Sequence, residues 1–200
     1  MNRVVELWYE FASTYSYPAV MRAHEDAAAL GIQIDLKPFL LGPIFQDQGW
    51  TTSPFNLQPA KGAYMWRDLE RTCAKLGLAF SKPDTFPQNG LHAARIATAL
   101  TDQTARTTFT RAVFASQFAE GRNISDPTHL SALLSKSVDN AAEIIEVARS
   151  HDNKNKLRMS TEQARQIGIF GAPTWRTSDG ELFWGNDRLD DALDWATKSR

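Results

Sequence analysis

Cysteine is almost missing from this chain: Cys73 is the one example in 200 residues. That shortage excludes an intrachain disulfide, a CxxC redox pair and any cysteine-rich zinc or iron–sulfur site. No excess of charge stands out either, since 22 basic and 23 acidic residues leave a formal charge of -1. Nothing in that balance draws the chain to nucleic acid or to an anionic bilayer. Long apolar runs are lacking too; the longest charge-free apolar stretch, near Pro38–Phe45, holds two prolines and a glycine and falls far short of the ~20 residues that span a membrane. At the N-terminus, MNRVVELWYEF is interrupted by Glu6 and Glu10, which is unlike a secretory leader. The expectation is a mature chain that starts here and resides in the cytoplasm. The histidines His24, His92, His129 and His151 show no HxxxH spacing, and neither GxGxxG nor GxxxxGK[ST] occurs, so no metal site and no phosphate loop are expected.

What is present suffices for a core. Hydrophobic residues make up 42% of the chain, with six tryptophans, against 22% charged, a globular composition rather than a disordered one. The length suits one domain, or one domain carrying a sizeable insertion.

Val4–Tyr9 is β-branched and aromatic, and Ile32, Ile34 and Leu36 alternate with polar residues, so each reads as a strand. Between them, apolar residues recur at three to four from about Tyr15 to Leu30, with Gly31 as the stop, which predicts a helix. Strand, helix and strand at this spacing make a right-handed βαβ unit with parallel strands. Ligands favour the end where the first strand gives way to the helix, which is the stretch Phe11–Tyr17. From Pro38 to about Gly168 the pattern becomes helical. Helices are predicted over 61–76, 91–100, 106–119, 141–151 and 156–167, with another started by Asp126 as N-cap and Pro127 at its first position. SKPDTFPQ at 81–88 is a loop within this block. Thr174–Thr177 and Leu182–Trp184 flank the hairpin signal Asp179-Gly180, and a helix over 187–197 follows. No internal repeat or low-complexity tract is seen.

This order is that of an α/β thioredoxin fold, βαβ followed by αββα around a mixed sheet, split by a large all-helical insertion. Residues 1–38 and 168–200 would form the discontinuous thioredoxin-like domain and residues 39–167 the insertion. Two positions then become diagnostic. In thioredoxin-like proteins a CxxC motif sits where the first strand meets the first helix, and a cis-proline before the third strand faces it. Here the first location reads Phe11-Ala12-Ser13-Thr14-Tyr15-Ser16-Tyr17 and the second Phe170-Gly171-Ala172-Pro173-Thr174. Serines occupy the cysteine positions. A serine there gives up thiol–disulfide exchange but keeps a hydroxyl at a helix N-terminus, where an anion such as a small-molecule thiolate is favoured. The plainer alternative is that Ser13 only caps the helix.

FASTYSYPA at 11–19, PFNLQPAKGAYMWRDLERTCAKLGL at 54–78, and IFGAPTW with ELFWGNDRLDDAL at 169–193 together resemble the 2-hydroxychromene-2-carboxylate isomerase family. That family is kin to the kappa-class glutathione transferases and similar in fold to periplasmic disulfide oxidoreductases. The resemblance spans nearly the whole chain. It implies a cytoplasmic, homodimeric enzyme of aromatic catabolism with glutathione as its cofactor, no metal, and small-molecule substrates.

By the same resemblance, Ser13 is the catalytic residue that donates a hydrogen bond to the glutathione sulfur. Ser16 would be structural. Ala172, before cis-Pro173, would pair through its backbone with the cysteinyl part of the cofactor. Asn186 and Asp187 fall at the γ-glutamyl site, and Asn56 and Lys61 near the glycyl carboxylate. Thr14 replaces the proline that many relatives carry after the serine. In the family reaction 2-hydroxychromene-2-carboxylate and trans-o-hydroxybenzylidenepyruvate interconvert through transient addition of the thiolate to an enone. A kappa-like transferase and a non-catalytic glutathione- or peptide-binding module share this fold, and fold alone does not separate them.

Ordinary roles account for several other residues. Cys73, within a helical stretch, reads as a small buried hydrophobe. Lys61, Arg67, Asp68 and Arg71 are spaced as a solvated helix face. The tryptophans and Phe170 are core by default. Trp66 and Trp184 are candidate walls of an aromatic pocket, with Thr14 and His92 as further candidates for contact with substrate.

Overall fold

Alternation decides how the central strand is used. In β1 (Arg3–Tyr9), Val5, Leu7 and Tyr9 join the main core on one side of the sheet, while Trp8 belongs to a second cluster with Phe39 and Ile44. Successive side chains on a strand point to opposite faces, so β1 is the shared wall of two apolar layers. The structure, a computed structural model, describes residues 3–50 and 53–198.

β1 pairs in parallel with β2 (Ile32–Pro38), Leu7 opposite Leu36. β3 (Thr174–Arg176) lies antiparallel on its other side, Leu7 opposite Trp175. β4 (Leu182–Trp184) completes the order β2-β1-β3-β4. The crossover helix α1 (Ser16–Ala28) buries Ala19, Val20, Ala23 and Ala27. This is the mixed sheet of a thioredoxin fold, as the sequence implies.

Between β2 and β3, the described residues form eight helices: α2 (Leu41–Asp47), α3 (Pro54–Leu57), α4 (Pro59–Lys75), α5 (Leu91–Ala99), α6 (Gln103–Phe118), α7 (Pro127–Leu134), α8 (Ala141–Arg149) and α9 (His151–Gln166). A 3-10 turn at Asn186–Arg188 and α10 (Leu189–Lys198) close the fold. α7 begins as expected, with Asp126 Oδ1 accepting the Thr128 N–H at 2.9 Å. Several elements differ from the sequence reading by more than a residue or two. α2 and α3 were not foreseen, because prolines and short length hide their period. α6 starts at Gln103, since Asp102 caps it through the Ala105 N–H at 2.7 Å. No gap separates α8 from α9 beyond Ser150, whose extended backbone ends one helix while its hydroxyl caps the next.

The core meets the site at Phe11. Its ring packs edge-on against Tyr9 at 5.3 Å and tilts over Phe114 of α6 at 5.1 Å. Full burial of one such ring is worth about 1.5–3 kcal/mol, enough to pin the segment between β1 and α1. On the other sheet face, Glu6 pairs with Arg176 at 3.2 Å and Lys37 with Asp35 at 2.6 Å, a charged ladder across β2, β1 and β3. No helix is long and apolar enough, among the described residues, to cross a membrane.

Candidate functional site

Ser13 lies in the turn between Phe11 and α1, where its N–H donates to the Glu10 carbonyl at 2.9 Å. Its hydroxyl does two things at once. As acceptor it takes the Ser16 N–H at 3.3 Å, the capping role allowed for it by sequence. As donor it reaches the Ala172 carbonyl at 2.8 Å, across 159 residues of chain. Capping uses a lone pair and leaves the proton for other work, so the two readings of Ser13 do not compete.

The Ala172–Pro173 peptide bond is cis, as the fold reading required, and Phe86–Pro87, not anticipated, is cis as well. The Ala172 side chain packs on the second cluster, which holds its backbone against Ser13. Ser16 is fully buried, and its hydroxyl has no partner among the described residues. Thr14 retains 1% of its surface. It is nearly closed off beside the serine turn.

Tyr15 ties the far side of the site together. Its hydroxyl donates to Asp68 of α4 at 2.9 Å, and its ring lies 6.5 Å from that of Phe55. Burial and the Asp68 carboxylate hold the Tyr15 phenol well above its usual range. Lys61 sits over the Phe55 ring at 5.9 Å, and Asn56 is the next residue along α3. Asn56 and Lys61 are thus brought to the Tyr15 wall of the Ser13 turn. The approach depends on Gly62, where a Cβ would collide with the Phe55 carbonyl.

Asn186 and Asp187 lie in the turn after β4. Asp187 is close enough to Tyr15 to raise its phenol further. Arg22 of α1 fixes this turn, donating to the Asn186 carbonyl at 3.1 Å and pairing with Asp190 at 3.6 Å. Asn186 is buried, and its Oδ1 has no partner among the described residues. A buried amide oxygen left this way is suited to a donor brought by a ligand.

Trp184 borders the cis-proline loop. Its ring fills the space beside Gly171, where a Cβ would meet the indole, and it packs edge-on with Phe170 at 4.9 Å. Phe170 is 52% and Trp184 55% exposed. Phe170 is therefore a correction to the core default: it stands on the surface two residues from Ala172, while Trp8 and Trp175 take the buried places.

Trp66 and His92 each have neighbours of their own. Trp66 joins Phe86 at 4.8 Å and Phe80 at 6.4 Å under Lys82. His92 lines a cavity of about 490 Å³ with Leu130 of α7 and Arg149 of α8. Cys73 is buried in the core as expected, and burial pushes its thiol up to about 11. Its thiolate is unavailable near neutrality.

Glu10 escaped the sequence reading. Its carboxyl accepts the Ala12 N–H, and burial pushes it up to about 7. Gly90 sits directly against it, 3.2 Å separating Glu10 Oε1 from where a Cβ would be. Tyr15, Phe55 and Arg22 escaped notice likewise, and Asp68, read as part of a solvated helix face, accepts the Tyr15 hydroxyl. Each acts through contact with a distant element, which local pattern does not report.

A thioredoxin sheet with a serine at the helix N-terminus and a cis-proline facing it defines a class before any comparison is made. The family described as a DSBA-like thioredoxin domain matches residues 4–194, and the chain belongs to it. Among curated relatives, 2-hydroxychromene-2-carboxylate isomerase of Sphingobium xenophagum is 28% identical over 191 residues, 95% of this chain and 96% of that protein. Glutathione S-transferase kappa 1 of Homo sapiens is 28% identical over 203 residues, 95% of this chain and 89% of that one. A solved 2-hydroxychromene-2-carboxylate isomerase superposes with a TM-score of 0.86 at 23% identity, over 97% of this chain and 94% of that one. The structural likeness establishes the fold.

Proposed function

We propose that this protein is a glutathione-dependent isomerase of 2-hydroxychromene-2-carboxylate, or of a related enone acid, with Ser13 as its catalytic residue. The observation that carries the reading is the Ser13 hydroxyl aimed at the Ala172 carbonyl at 2.8 Å. That carbonyl precedes the cis-proline, the place where a thioredoxin fold pairs with extended peptide backbone.

The residues fit glutathione. Ala172 offers its carbonyl to a cysteinyl N–H, and its own N–H is unengaged among the described residues. Asn186 and Asp187 offer an amide oxygen and a carboxylate to an ammonium. Lys61 supplies a cation for a terminal carboxylate. When bound, glutathione supplies a thiolate that adds to the enone and departs again, leaving a bond free to rotate in between. With glutathione bound, Ser13 would turn its O–H from the Ala172 carbonyl toward the sulfur and donate a hydrogen bond there while keeping its proton. The carbonyl then accepts from the cysteinyl N–H, so no buried group loses its partner in the exchange. The Ser16 N–H keeps the serine oxygen in place throughout.

A second reading, a kappa-like transferase that releases the conjugate, is favoured by equal identity, 28%, to the human kappa enzyme. One experiment separates them. Purified protein is given glutathione with the hydroxychromene acid and, separately, with a halonitrobenzene. Glutathione-dependent isomerisation supports the first reading; conjugation without isomerisation overturns it in favour of the transferase.

A further inference from the structure

A second cavity, of about 290 Å³, lies between α2, α5 and α9. Leu40, Ile44, Leu91 and Leu157 give it an apolar floor, and Arg95, Lys154 and Arg158 stand around it. No ion pair or side-chain hydrogen bond among the described residues engages those three cations. Arg165, the fourth, is different: it pairs with Asp47 at 3.1 Å and with Glu162 at 3.5 Å. The sole carboxylate in the lining, that of Glu162, is taken up by Arg165 and by Gln166 at 3.0 Å. The cleft therefore presents uncompensated positive charge over an apolar surface.

Its walls are linked to the Ser13 site through two neighbouring residues, Gly90 and Ala172. Leu91 follows Gly90, which packs against Phe11, Glu10 and the Ala12 N–H. Ile44 belongs to the cluster against which Ala172 packs. Leu40 comes just past the end of β2, at the carboxyl ends of the parallel strands, where α/β folds place their ligands. The cleft is built in advance, because Thr161 Oγ1 accepts the Leu40 N–H at 3.1 Å and Ser160 donates to the Pro38 carbonyl at 2.8 Å, clamping α9 to β2 and the start of α2.

An apolar floor with free guanidinium groups suits one chemical class, a small amphipathic carboxylate. We propose that this cleft receives the electrophilic acid, its ring against Leu40, Ile44 and Leu91 and its carboxylate on Arg95 and Arg158. The assignment rests on Ser13 being the thiol-activating residue, and it adds what decides acid over neutral electrophiles. Arg95 and Arg158 are specificity residues, with no part in activating the thiol.

The test uses 3-phenylpropionate, an aromatic acid that cannot accept a thiol, and its neutral amide, titrated calorimetrically into the full chain. The expected result is binding of the acid at least about tenfold tighter than the amide, with that preference lost in the Arg95→Gln, Arg158→Gln double variant and kept in Ser13→Ala. Matching Michaelis constants are expected: the double variant raises that of the acid substrate about tenfold and leaves that of glutathione unchanged. Equal binding of acid and amide, or acid binding undiminished in the double variant, overturns the proposal; circular dichroism of the double variant shows that its fold is intact. The two readings fail separately. Acid binding with no glutathione-dependent turnover in the unmodified protein would remove the isomerase and leave the acid cleft standing.

Discussion

Ser13 and Ala172 are joined by one hydrogen bond, hydroxyl to carbonyl at 2.8 Å, and it fastens the start of α1 to the loop before β3. The same serine oxygen accepts the Ser16 N–H. The site thus holds its donor ready against a carbonyl that a peptide-like ligand would itself engage. Activation of a thiol then requires only a change of partner.

Glu10 sets a pH dependence of stability. Its carboxyl, pushed up to about 7 by burial, is easier to bury neutral than charged. The stability it contributes is fully present below about 4.5 and is lost as pH rises through about 7. Denaturant unfolding across this range should show the unmodified protein losing on the order of 2 kcal/mol relative to Glu10→Gln. Parallel curves for the two proteins would contradict the assignment.

Gly62 holds α4 against α3. Gly62→Ala drives a methyl into the Phe55 carbonyl, at an overpacking cost of about 1–3 kcal/mol. Phe55, and with it Asn56, must shift from the Tyr15 wall. Calorimetry should find weaker glutathione binding, while Ala63→Gly on the exposed side of the helix should leave it unchanged.

Arg22 should matter without touching ligand. Arg22→Met removes the bond to the Asn186 carbonyl and the pair with Asp190. A loss of about 1–2 kcal/mol in stability is expected, with a raised Michaelis constant for glutathione and nearly constant kcat. A fall in kcat alone would place Arg22 in the chemistry instead.

Cys73 should be dispensable. With its thiol buried and pushed up to about 11, alkylating reagents should label it only on unfolding. Cys73→Ala should keep turnover and lose about 1–2 kcal/mol of stability. Inactivation of the native protein by a thiol reagent would show that Cys73 takes part.

Much of the fold was legible because its signals are local. β1, α1 and β2 follow from alternation and spacing, and α7 announces itself in Asp126-Pro127. α2 and α3 were hidden by Pro43 and Pro54, and the junction at Ser150 by the polar run that opens α9. Ser13 and Pro173 were legible through the place they hold in a known fold. Tyr15, Glu10 and Arg22 were not, since their partners Asp68, Gly90 and Asn186 come from other elements. The packing of Trp66 with Phe80 and Phe86, and of His92 beside Leu130 and Arg149, likewise joins elements far apart in the chain. Phe170 was assigned to the core by residue type, yet Trp184 gives it a surface partner instead.

Thiol activation by Ser13 is measured most directly by the ultraviolet absorbance of bound glutathione thiolate as a function of pH. In the unmodified protein the bound thiol should ionise about one to two units below its free value of about 8.5. In Ser13→Ala, with glutathione still bound, the midpoint should return toward the free value and turnover should fall about tenfold to a hundredfold. Equal midpoints in the two proteins would contradict the account.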